Sequence, residues 1–175
     1  MTSTVTHAIV PLAVAVALGP QRISPKLAVA GAFMAIVPDF DVIGFWFGIE
    51  YGDDWGHRGA SHSFLFAFLG AGVVSLLWRE ARSITGFLFL ALAIASNGLL
   101  DAVTNGGLGV ALLWPMDNAR IFAPYTPVRV SPIGLDFFSE RGLVTLWSEM
   151  KWVWLPCLAL ALGGWGLRRA ARPRP

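Results

Sequence analysis

Charge is what this sequence has least of. Of its 175 residues 14% are Asp, Glu, Lys or Arg, where a soluble domain carries about 25%. Hydrophobic residues make up 55%, and the mean hydropathy is +0.62. So few charges cannot cover a water-facing surface, which excludes an ordinary soluble domain. There is one cysteine, Cys157, and it lies in an apolar stretch, so no intrachain disulfide is possible. The isoelectric point near 9.1 hints at nucleic acid. The basic residues are nevertheless dispersed or terminal and form no stripe, so no nucleic-acid partner is expected. Internal repeats and low-complexity segments are absent. No Lys or Arg precedes the first apolar run, which argues against reading it as a secretory signal.

Long apolar runs dominate what is present. They cover His7–Gly19, Leu27–Ile49, Phe64–Trp78, Ile84–Leu100 and Leu143–Leu167. A membrane helix needs about 20 apolar residues, with about 17 a practical minimum. The second and last runs meet this easily, whereas the first and third are short. The expected fold is all-α: a polytopic membrane helical bundle of about five transmembrane helices, forming a single integral membrane domain over 1–175. Residues 104–141 are too rich in Gly, Pro and polar side chains to span. Their aromatics (Trp114, Phe122, Tyr125, Phe137, Phe138) suit an interfacial loop and short-helix segment on the outer side.

Basic residues set the orientation. Arg22 and Lys26, then Arg79 and Arg82, then a basic tail over 168–175 fall on one face if there are five spans. The positive-inside rule assigns that face to the cytoplasm of the plasma (inner) membrane. Every acidic residue except Glu80 then falls in or beside the opposite, periplasmic or exterior, regions.

Four polar places share that outer face: Thr6-His7; Pro38-Asp39-Phe40-Asp41; the run His57-Arg58-Gly59-Ala60-Ser61-His62-Ser63; and Asn97 to Asp101 with Thr104 and Asn105. Proline and alternating carboxylates inside an apolar run imply a broken helix, acceptable at membrane depth where it lines a cavity. Asn97, Asp101 and Thr104 or Asn105 form one stripe at helical spacing. Taken singly, each place has an ordinary reading: an interfacial histidine, a solvated loop or a polar helix flank. Together they contain all three histidines of the chain. Imidazole and carboxylate are the ligands that zinc and similar divalent metals take without thiolates. His7, Asp39, Asp41, His57, His62 and Asp101 would make one closed site or two open ones, and a cation would relieve the repulsion among the carboxylates.

The ordered set Thr-His, Pro-Asp-Phe-Asp, His-Arg-Gly-Ala-Ser-His-Ser and Leu-Leu-Asp-Ala-Val-Thr-Asn-Gly-Gly, followed by Leu-Leu-Trp-Pro, resembles the YdjM family. These are inner-membrane proteins described as metal-dependent hydrolases, and the resemblance runs from about Thr6 to Pro132. It implies metal ligands at His7, Asp39, Asp41, His57, His62 and Asp101. One position departs: the family usually has His four residues before the last Asp, where this chain has Asn97. The family's His-x-x-x-Asp order is also similar, more loosely, to that of zinc-dependent phospholipase C, which suggests a phosphoester substrate.

The expected function is therefore metal-assisted hydrolysis of a lipid-linked ester or phosphoester at the outer membrane interface. One or more divalent ions, zinc first among them, would activate water. Of Asp39 and Asp41, one would bind or bridge metal and the other would orient or deprotonate the water, while Arg58 would stabilise a phosphate oxygen. Ser61 is a weak nucleophile candidate because no Gly-x-Ser-x-Gly surrounds it. The partners expected are membrane lipids. A rival reading makes the same residues a non-enzymatic metal-binding or transport site. It is disfavoured by the almost wholly apolar opposite halves of the spans. A third makes the metal purely structural.

Overall fold

A computed structural model describes residues 1–132 and 134–171. The last residues of the expected basic tail, Arg172 and Arg174 included, lie outside them. The architecture is all-helical, with no regular strand among the described residues. Serines open three of the helices by accepting an orphan N–H of the first turn. Helix α1 spans Thr4–Leu18. Helix α2 spans Pro25–Met34, where Ser24 Oγ accepts from Leu27 N and Pro25 suits the first turn. Ser63 and Ser83 cap α3 (Phe64–Leu77) and α4 (Ile84–Ala102) in the same way.

The second apolar run does not stay α-helical. Helix α2 ends at Met34, and a 3₁₀ segment continues over Val37–Phe47. Pro38 is a cause of the change, because it has no N–H to offer the Met34 carbonyl. Eleven residues is long for a 3₁₀ helix, and such stretches often mark a functional site. The last run is also interrupted. Helix α5 (Glu140–Glu149) passes through a π-turn at Met150–Trp154 into α6 (Leu155–Ala170). Pro156 cannot donate to the Trp152 carbonyl, which accounts for the widened turn there.

Among the described residues three helical stretches are long and apolar enough to cross a membrane: Pro25–Phe47, Ile84–Ala102 and Glu140–Ala170. Helices α1 and α3 are apolar but have 15 and 14 residues. Fifteen helical residues rise about 22 Å, less than the roughly 30 Å hydrocarbon core. The expected figure of about five thus corresponds to five apolar helical stretches, three of them of spanning length.

Small residues let the helices approach. Ala67 and Ala71 of α3 and Leu90 and Ile94 of α4 are buried in a cluster with Ile23 and Leu27. Large apolar side chains such as Val29, Leu69, Leu76, Leu92 and Leu162 point outward, as a bilayer-facing surface requires. At one end of the bundle Lys26 pairs with Glu80, and Arg168 donates to the Ala17 carbonyl. The opposite end gathers the start of α1, the 3₁₀ segment, the residues before α3 and the end of α4. The chain after α4 folds over that end. Ala111 N donates to Arg58 O at 3.0 Å, Phe64 N to Leu112 O at 3.0 Å, and Ala123 N to Ala102 O at 2.8 Å.

Gly164 marks the closest approach of α6 to α1, since a Cβ there would lie 2.7 Å from Ala17 Cα. Gly164→Leu should push the helices apart and lower stability by about 1–3 kcal/mol. Gly163→Leu should leave stability unchanged, because no atom lies within 4 Å of its added Cβ. Thermal unfolding of both variants in detergent measures the difference; equal melting would mean that this contact does not hold α6 in place.

Candidate metal centre

Each polar residue reaches the centre from the end of a different element. His7 lies in the first turn of α1, Asp39 near the start of the 3₁₀ segment, and Asp101 in the last turn of α4. His57 and His62 come from the tight loop before α3. That loop requires Gly59, whose added Cβ would stand 2.2 Å from the Asp54 carbonyl oxygen. All three histidines, Asp39, Arg58, Asn97 and Asp101 are buried.

Among the described residues two overlapping groups have metal-binding geometry. Asp39, His57 and His62 offer ligand atoms within 4.8 Å of one another, and so do His7, Asp39 and Asp101. His7 Nε2 lies 3.4 Å from Asp39 Oδ2 and 3.6 Å from Asp101 Oδ1. His62 Nε2 lies 3.5 Å from Asp39 Oδ1 and 3.8 Å from Asp101 Oδ2. Both oxygens of Asp39 and the Nε2 atoms of His57 and His62 are buried without a hydrogen-bond partner. Leaving such groups unpaired is costly. A nitrogen and carboxylate-oxygen donor set of this kind fits a divalent cation.

Asp41 stands behind the imidazoles. Its Oδ1 lies 2.7 Å from His57 Nδ1, and its Oδ2 lies 3.1 Å from His62 Nδ1. Oδ2 also accepts from Ser61 Oγ at 2.6 Å and from Arg58 N at 3.1 Å. Engaging Nδ1 leaves each Nε2 turned inward, the arrangement that orients metal-ligating histidines. Ser61, the candidate nucleophile, therefore has its hydroxyl committed to Asp41.

Arg58 has the left-handed φ of 66°, uncommon for a residue with a Cβ. Its N–H faces Asp41 while its guanidinium turns to Asp101. Nε donates to Asp101 Oδ2 at 2.9 Å, Nη2 to Thr104 Oγ1 at 2.9 Å, and Nη1 to Gly106 O at 2.7 Å. The fully buried Arg58 thus clamps Asp101. Arg120 straps the preceding loop, donating to the carbonyls of His57, Tyr51 and Asp53. Asn97 donates through Nδ2 to Ala35 O at 2.9 Å, which leaves its buried Oδ1 without a partner.

Sequence reasoning missed the amino-terminal strap and its anchor. Thr2 N donates to Asp101 Oδ1 at 2.6 Å, and Thr2 Oγ1 lies 2.8 Å from His7 Nε2. Glu149, fully buried, accepts from Ser3 N and Ser3 Oγ, and from Thr6 Oγ1 at 2.8 Å. A carboxylate inside the last apolar run was the available signal, since intramembrane acids are functional by default.

Burial by itself would push the His62 pKa down, but the adjacent Asp39 and Asp41 carboxylates outweigh it and raise the value from 6.5 to about 9. A raised folded-state pKa stabilises fully below the unfolded value and is lost as pH rises through the folded one. In chelator-treated protein, stability should therefore decline from about pH 6.5 to pH 9. Melting curves across that interval check it; a rise would mean that His62 is held neutral.

The YdjM inner membrane protein family model matches residues 1–172. Inner membrane protein YbcI of Escherichia coli (strain K12) is 42% identical over 177 residues, covering 97% of this chain and 100% of that protein. No solved structure matches. Agreement along nearly the whole chain settles the family: this protein belongs to the YdjM inner membrane proteins.

Proposed function

We propose that the protein is a metal-dependent hydrolase acting on a lipid-linked ester or phosphoester at the outer membrane interface. The observation that carries this reading is the convergence of buried, unpartnered ligand atoms on Asp39, His57 and His62 beside an apolar cavity. The cavity has a volume of about 380 Å³ and is lined by Val5, Ile36, Phe40, Val42 and Phe137, with Asp39 on its wall. An acyl chain suits those walls, and a headgroup ester suits the Asp39 end.

When bound, a divalent cation supplies Lewis-acid activation, polarising the scissile group and lowering the pKa of water towards about 7. The chain's own residues prepare the place. His7, Asp39, His57, His62 and Asp101 would hold the ion, with Asn97 Oδ1 as a further oxygen facing no donor. Asp41 keeps the His57 and His62 rings in the orientation that presents Nε2, and Arg58 Nε holds the Asp101 carboxylate in place. These contacts favour positioning roles for Asp41 and Arg58 over direct contact with substrate. Asp39 itself is only 4% exposed, and this burial strengthens electrostatic interactions there.

Transport is the less favoured reading. The core beyond the centre is built from Ala15, Leu27, Ala71, Phe89, Leu90 and Ile94, which offers an ion no polar path to the other end. The segregation of basic residues supports a periplasmic or exterior side for the centre. In a Cys157-free background, Ala119→Cys should label from outside and Arg82→Cys from the cytoplasm. The reverse pattern would invert the topology.

Activity should require added divalent metal and fall with chelator when lipids are presented in mixed micelles. Asp39→Asn should abolish turnover with the melting curve retained. Asp41→Asn should weaken metal affinity about 10–100-fold, as loss of a ligand-orienting carboxylate does. If metal-loaded, folded protein hydrolyses neither lipid phosphodiesters nor carboxylic esters, yet moves ions across vesicles, the transport reading replaces this one.

A further inference from the structure

We infer that the centre holds two divalent cations side by side, bridged by Asp39, an assignment that rests on the metal-dependent reading above. The two candidate ligand groups have a single member in common, Asp39. Its two oxygens face different imidazoles: Oδ2 lies 3.4 Å from His7 Nε2 and Oδ1 lies 3.5 Å from His62 Nε2. Neither oxygen accepts a hydrogen bond, although Asp39 is only 4% exposed. An ionised carboxylate has lone pairs on both oxygens and can bind one ion with each. A single ion on the His7 side would leave Asp39 Oδ1 and the Nε2 atoms of His57 and His62 unsatisfied in a buried setting, and a single ion on the other side would leave Asp39 Oδ2 so.

The ligand sets divide accordingly. The first ion takes Asp39 Oδ1 and the Nε2 atoms of His57 and His62, whose Nδ1 atoms are already held by Asp41. The second takes Asp39 Oδ2, His7 Nε2 and Asp101, whose other neighbours are Thr2 N and Arg58 Nε. Three protein ligands per ion leave an open coordination position on each, the pattern of catalytic rather than structural sites.

Charge points the same way and narrows the substrate. The carboxylates of Asp39, Asp41, Asp101 and Glu149 are gathered here with one buried guanidinium, Arg58. With the Met1 ammonium 3.9 Å from Asp101 counted, one divalent ion leaves this neighbourhood about neutral, whereas two make it positive. A positive, water-poor centre favours an anionic phosphoryl group over a neutral carboxylic ester. The substrate class is therefore a phosphoester.

Metal-stripped protein in detergent is reconstituted with manganese, the bound ion is counted by elemental analysis, and coupling between ions is read by electron paramagnetic resonance. Two ions per chain with a spin-coupled signal are expected. His7→Ala and His57→Ala should each retain one ion and lose the coupling. Asp39→Asn, which keeps the side-chain shape but one acceptor oxygen, should lose the coupling as well, with melting curves confirming the fold. Inorganic phosphate should bind the two-ion protein, and that binding should be lost in His7→Ala. Saturation at one ion overturns the paired centre and leaves the metal-dependent reading standing; no bound ion overturns both. Coupling that survives Asp39→Asn overturns the bridge, and phosphate binding that survives His7→Ala overturns the phosphoester assignment.

Discussion

A buried carboxylate without hydrogen-bond donors is the constraint around which the polar end is built. Asp39 is held inside an apolar bundle with both oxygens unpartnered. An isolated charge in such surroundings is strongly disfavoured unless it is paired or coordinates a metal. The nearest groups that could relieve it are imidazole nitrogens on either side, and of these the Nε2 atoms of His57 and His62 are themselves without a hydrogen-bond partner. The cost is common to Asp39, His57 and His62, and a cation would relieve all three at once.

Around this point lies a layer that fixes the ligands in place. Asp41 holds two imidazoles, Arg58 holds Asp101, and Glu149 holds the start of α1 through Ser3 and Thr6. Each of these outer contacts is charge-assisted, hence shorter and stronger than a neutral hydrogen bond. They tie together the amino terminus, the 3₁₀ segment, the loop before α3, α4 and the last helix. The polar network thus links all five apolar helical stretches where lipid-facing packing alone would hold them loosely.

The bundle is asymmetric. One end holds the buried carboxylates and imidazoles under the chain that follows α4, and the other has exposed basic residues and the Lys26–Glu80 pair. Between them the interior is apolar and close-packed through alanines and Gly31, whose added Cβ would meet the Phe89 ring. An arrangement of this kind confines polar chemistry to one interface. Its apolar cavity meets that chemistry at Asp39, and on the proposed reading a lipid substrate would need to leave the bilayer only by its headgroup.

The sequence by itself determined the membrane class, the apolar helical stretches, the break at Pro38 and the grouping of histidines and carboxylates. All of these depend on composition or local spacing. Only the tertiary structure separated Asp39 from Asp41. Two residues apart on a helix of three residues per turn, they cannot point the same way, so one faces the imidazole Nε2 atoms and the other backs their Nδ1 atoms. The buried clamp by Arg58, the Asn97 oxygen freed by the Ala35 carbonyl, and the grip of Glu149 on Ser3 were likewise decided only there. Each joins residues far apart in the chain. Local periodicity says which face of a helix is polar, but not which distant carboxylate that face will meet.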